Sequence, residues 1–117
     1  MDANVFRAGD VASPFSAQIE SRNGVARIAL TGEVDMGTVP ELEHHLGVCQ
    51  ADGATAIVVN LRDLGFVDSS GLHAFIRSRT DAQANGHRLL LVGGSRAAQR
   101  VFGLTGTEFL IEEPAPI

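Results

Sequence analysis

The sequence contains no lysine: all nine basic residues among its 117 are arginine. That absence excludes a Schiff-base lysine, a phosphate-binding GxxxxGK[ST] loop and a receiver-type phosphoaspartate site with its paired lysine. Tryptophan and tyrosine are also missing, the arginines are scattered and the formal net charge is −5, so no nucleic-acid partner is expected. A single cysteine, Cys49, permits no internal disulfide and, without a CxxC companion, no zinc framework. Apolar runs stay short, as in Ala56–Val59, and the first residues lack the basic head and apolar stretch of a signal peptide. These absences lead to the expectation of a cytoplasmic protein with no membrane contact, no metal and no cofactor.

The residues that are present suit one globular domain. Apolar residues make up 44% and charged residues 20%, enough for a real core, and the length is too small for two. Residues 1–15 mix Asp, Ala, Gly, Ser and Pro without periodicity and read as a loose arm; residues 112–117 read as a tail, leaving a domain over 16–111. Ser16–Glu20 and Val25–Thr31 are β-prone and flank an Asn23-Gly24 pair, the usual signal of a tight hairpin. Gly32–Gly37 is expected to break the second strand. Thr38 then reads as a helix cap, with Pro40 in the first turn and Glu41 placed for a capping box. Val39, Leu42, Leu46 and Cys49 form one apolar stripe on a helix of about 13 residues, which puts Cys49 in the core.

Thr55–Leu61 is β-branched and almost continuously apolar, as in a strand covered on both faces. Asp68–Ala84 reads as a second helix with Leu72, Phe75 and Ile76 inward, closed by Asn85-Gly86. Arg88–Val92 is a further strand. Ser95 caps a third helix with Ala98, Val101 and Phe102 inward, Gly106 ends it, and Phe109–Ile111 is a last short strand. Repeated strand-helix-strand units predict an α/β fold with a small mixed, mostly parallel sheet and three or four helices.

In such sheets ligands and partners meet the loops at the carboxyl ends of the strands. Three loops qualify: Gly32–Gly37 with Glu33 and Asp35, Arg62–Ser70, and Gly93–Ser95. In the second, Asp68 is the natural helix cap, Ser69 falls in the first turn with its hydroxyl outward, and Gly71 leaves room for a close neighbour. The plain alternative is that Asp68, Ser69 and Ser70 only cap a helix, and that Glu33 and Asp35 are only solvated.

Leu30-Thr31-Gly32-Glu33-Val34-Asp35, Asn60-Leu61 and Phe66-Val67-Asp68-Ser69-Ser70-Gly71-Leu72, followed by the helix from Ser95 to Gly106, resemble the STAS domain family, especially bacterial anti-sigma factor antagonists. The resemblance spans about residues 16–111 and has the same order of elements. It implies that Ser69 is phosphorylated by a partner anti-sigma factor that is also an ATP-dependent serine kinase, that a serine phosphatase restores it, and that the unmodified chain binds that partner. The partner surface so implied comprises Glu33, Asp35, Asp68, Ser69, Ser70 and Gly71. His73 departs from the small or apolar residue common in the antagonists at that place.

Other readings stay open on the residues. Ser69 could be a nucleophile on a strand-to-helix elbow, but Val67 stands where GxSxG requires glycine, and none of His44, His45, His73 and His87 is an obvious base. Adjacent His44 and His45 point about 100° apart on a helix and share one ion poorly. Gly93-Gly94-Ser95 could cradle an anion or be a simple turn. The same fold could also serve as a scaffold or accessory subunit of a transporter or signalling complex, without a phosphoswitch.

Overall fold

The computed structural model describes residues 15–106 and 111–112. Strands β1 (Phe15–Arg22) and β2 (Val25–Val34) form an antiparallel hairpin, in register from Phe15 opposite Gly32 to Arg22 opposite Val25. Asn23 and Gly24 both take positive φ, 53° and 79°, as the expected tight turn requires. Helix α1 (Val39–Ala51), strand β3 (Ala56–Val67), helix α2 (Ser69–Ala84), strand β4 (Arg88–Val92), helix α3 (Arg96–Leu104) and strand β5 (Ile111–Glu112) follow. The sheet order is β1-β2-β3-β4-β5, parallel from β2 onward. The first strand opens at Phe15, one residue inside the expected arm, and that ring is buried. Of the expected last strand, positions 109 and 110 lie outside the described residues.

Each crossover steps to the next strand in the same direction, so right-handed connections gather the helices on one face. That face carries Ile28, Leu30, Ile57, Val59, Leu61, Leu89 and Leu91, all buried, and meets Val39, Leu42, Leu46 and Cys49 of α1 with Leu72 and Phe75 of α2. The α1 stripe and its 13-residue length match expectation. Phe102 of α3 packs against Phe75 at a centroid distance of 6.4 Å. The double coverage expected of the third strand is not found: Ala56, Val58 and Asn60 on the opposite face are only half-buried.

Two strands outrun their expected ends. β2 continues past Gly32 to Val34, and β3 runs through Arg62-Asp63, expected as loop, to Val67. Their ladder skips register twice, between Ala29/Thr31 and Gly32/Glu33, each time leaving one extra residue on β3. At the first skip Asn60 Oδ1 accepts the Arg62 N–H at 2.9 Å, and at the second Gly32 takes φ of 91°. The bulges convert the usual alternation into Leu61, Leu64 and Val67 buried at every third position.

Cys49 is buried, and its thiol is pushed above the ordinary range, first by burial and then by the neighbouring charge of Asp52. The unfolded chain therefore ionises this thiol first, so stability falls as pH rises above the free-thiol value of about 8.5. With lysine and tyrosine absent, no other side chain ordinarily titrates in that range. Melting temperature followed from pH 7 to 10 is expected to decline in the native chain and to decline less in Cys49→Ala.

Candidate functional site

The ends of β2 and β3 and the start of α2 converge at one edge of the sheet. Asp68 holds them together. Its N–H donates to the Val34 carbonyl at 3.1 Å, its Oδ1 accepts the Gly71 N–H at 3.0 Å, and its carbonyl accepts from Leu72 at 3.0 Å. The expected cap is thus formed. Gly71 is buried against β2: a Cβ built on it would stand 2.7 Å from Val34 Cγ1, 3.0 Å from the Val34 carbonyl oxygen and 3.1 Å from Val67 Cγ1. No side chain larger than hydrogen fits there without moving the helix or the strand.

This close approach sets Ser69, the first residue of α2, beside the loop that leaves β2. Ser69 is exposed and Ser70 half-buried. Among the described residues no side chain hydrogen-bonds the Ser69 hydroxyl. The first-turn N–H groups have no acceptor within the helix, apart from the one taken by Asp68, and give this end a partial positive charge.

The facing loop is organised by Asp35. Its Oδ1 accepts the N–H groups of Gly37 at 2.9 Å and Thr38 at 3.0 Å, and its carbonyl accepts from Thr38 and Val39. Thr38 does not close the expected capping box. Its hydroxyl turns back to donate to the Glu33 carbonyl and accept the Asp35 N–H, each at 2.9 Å, so no side-chain cap of α1 forms. Asp35 is half-buried and braces its own turn, whereas Glu33 is exposed. Glu33, Asp35 and Asp68 together make this rim acidic.

Sequence reasoning missed the apolar part of the rim. Met36, at the tip of the Asp35 turn, is 76% exposed, and Phe66, in register with Glu33, is 45% exposed. Large apolar side chains left in water next to polar groups mark a contact surface; the signal in the sequence was a Met between Asp and Gly in a turn.

The remaining candidates are dispersed. Gly93 approaches Asn60 so closely that a Cβ would lie 2.9 Å from Asn60 Oδ1, and Ser95, buried, accepts the Ala98 N–H at 3.0 Å, which is the work of a turn and a cap. His44 is exposed on α1, His45 stands 3.6 Å from Glu41, His73 is exposed on α2, and His87 Nδ1 is buried without a hydrogen-bond partner. Among the described residues no three His, Cys, Asp or Glu side chains are grouped to hold a metal, and no helix is long and apolar enough to cross a membrane.

The profile of the STAS domain matches residues 16–116. An anti-sigma-B factor antagonist of Staphylococcus aureus is 36% identical over 84 residues, covering 72% of this chain and 78% of its own. An anti-sigma factor antagonist from Mycobacterium paratuberculosis superposes with a TM-score of 0.71 at 28% identity, over 83% of this chain and 82% of its own. The anti-sigma factor antagonist SpoIIAA superposes in its unphosphorylated form (TM-score 0.71, 26% identity, 83% of this chain and 86% of that one). The Bacillus SpoIIAA in its phosphorylated form does so at 0.65, again at 26% identity, over 83% of this chain and 89% of its own.

The geometry sets two stability expectations. Gly71→Ala forces a Cβ onto Val34 and is expected to cost about 1–3 kcal/mol, whereas Asp68→Ala loses a cap worth about 1 kcal/mol. Denaturant unfolding checks both, and amide exchange of the first α2 turn should rise in each.

Proposed function

The chain belongs to the STAS domain family, and we propose that it is an anti-sigma factor antagonist whose partner is released by phosphorylation of Ser69. The observation that carries this reading is the exposed Ser69 hydroxyl at the start of α2, rimmed by Glu33, Asp35 and Asp68 with Met36 and Phe66 alongside. The partner is an anti-sigma factor with ATP-dependent serine kinase activity, and a serine phosphatase reverses the modification. The chain is a substrate of that kinase and not itself an enzyme, and it works in the cytoplasm, freeing a sigma factor for transcription when unmodified.

The sign of the switch follows from two opposed terms. Phosphorylation adds about 1.5–2 negative charges and three acceptor oxygens. The α2 N-terminus favours such an anion by about 0.3–1 kcal/mol at an exposed place, so the domain stays folded. That SpoIIAA matches this fold in both phosphorylation states supports this part of the reading. A partner seated on the rim, by contrast, buries the dianion among Glu33, Asp35 and Asp68. An unpaired buried charge costs several kcal/mol, which exceeds the helix-end benefit. The fold survives and the complex does not.

The test incubates the chain with ATP and each ATPase-type anti-sigma factor encoded alongside it. One of them is expected to add about 80 Da, one phosphoryl group, mapped to Ser69 and absent in Ser69→Ala. Ser69→Asp is expected to weaken binding of that factor by about tenfold or more with the melting temperature unchanged. Modification at another residue, or full affinity of Ser69→Asp and of the phosphorylated chain, overturns the switch.

A further inference from the structure

β4 pairs with β3 only over Ala56–Asn60, so the bulged end of β3 extends beyond it and is flanked by α3. Between strand and helix runs an open groove of about 590 Å³, lined by Phe66, Val67, Arg96, Arg100, Val101 and Leu104 among others. The core does not need its outer wall. α3 packs inward through Ala98 and Phe102, whereas Leu104 is 79% exposed. Arg96 and Arg100 are exposed, one helical turn apart, and neither has an ion-pair partner among the described residues. α3 carries no acidic residue, and its N-terminus adds positive potential at Arg96. On a chain of net charge −5 this groove is locally basic and apolar.

The β3 wall of the groove leads into the strand end that carries the Ser69 rim. Phe66 lines the groove and stands in register with Glu33, and Val67, on the same wall, precedes Asp68. We propose that the groove is a second docking element for the anti-sigma partner, taking an amphipathic segment with apolar anchors and acidic side chains about one helical turn apart. This inference rests on the reading that the chain captures an anti-sigma factor, and it specifies the chemistry of that factor's contact.

The acidic rim demands basic groups on the partner, and the groove demands acidic ones. Two adjoining patches of opposite sign fix orientation in a way that one patch cannot. Leu104 and Phe66 supply apolar area that the free chain leaves in water, and burial of such anchors is where affinity concentrates.

The test uses the anti-sigma factor that phosphorylates Ser69, with ADP in place of ATP so that Ser69 stays unmodified. Affinity is measured for the native chain, for R96E/R100E and for L104S. A control, R22E/R27E, changes two exposed arginines of the hairpin by the same net charge. Both groove variants are expected to weaken binding by at least about tenfold, the control by no more than about twofold, all with unchanged melting temperature. Hydrogen exchange should show residues 96–104 protected in the complex.

Native binding that persists in both groove variants overturns the groove and leaves the switch standing. An equal loss in the control also overturns it, because the effect is then the field of the whole chain. Protection of residues 96–104 in the free chain that grows with concentration gives the groove to a second copy and overturns it too. Failure of the native chain to bind overturns the functional reading itself, before any variant is compared.

Discussion

The contact on which the rest depends is that of Gly71 with Val34. A helix start and a strand end approach until only a hydrogen atom fits between the glycine Cα and the valine side chain, and the Asp68 N–H then reaches the Val34 carbonyl. From that approach comes the position of everything with chemistry in it. The first turn of α2 is fixed against β2, so Ser69 cannot drift from the Asp35 turn. Asp35 in turn spends one carboxylate oxygen on two of its own loop's N–H groups, which holds the acidic wall rigid. A side chain at the tip of such a frame, like Met36, is presented to solvent with little conformational freedom in its backbone, and a contact made with it costs less ordering than one made with a slack loop.

That rigidity separates two quantities that often change together. In many proteins a new dianion reports by ordering or melting a segment. In the proposed switch the helix terminus tolerates a phosphate on Ser69, and the cap, the ladder and the Gly71 contact are all made by groups other than the Ser69 hydroxyl. On that proposal the response is expressed across the interface rather than inside the domain. It needs no conformational intermediate, only a surface that is acceptable to a partner with one hydroxyl and unacceptable with a phosphate.

The parts legible in the sequence were those with a local and periodic cause. The Val39, Leu42, Leu46, Cys49 stripe follows the helical repeat, Asn23-Gly24 dictates its own turn, and Asp68 ahead of an apolar-periodic run is a cap in almost any context. The parts that were not legible have causes elsewhere in the chain. Leu61, Leu64 and Val67 are buried every third residue because two bulges displace β3 against β2, and no strand template contains that spacing. Thr38 and Glu41 match a capping box in type and distance, but the Thr38 hydroxyl is already committed to Glu33 and Asp35. Gly71 reads as a residue that leaves room, and only the fold shows that Val34 takes it. At the site, the acidic residues and Ser69 stood out by type, while Met36 and Phe66 did not, since an apolar residue in a sequence is first of all a candidate for the core.

The bulges also connect the fold to the surface it presents. Strict alternation from Leu61 would turn Asp63, not Leu64, to the helix face. Instead the two extra residues bend the strand where β4 has already ended, and α3 crosses the exposed flank with Ala98 and Phe102 inward. The strand end then has β2 and its acidic residues on one side, and a helix whose only charges are positive on the other. The strand end thus carries both signs at one edge of the sheet. On the docking proposed above, it asks of a partner a matched pair of opposite patches, a stricter demand than the serine alone could impose.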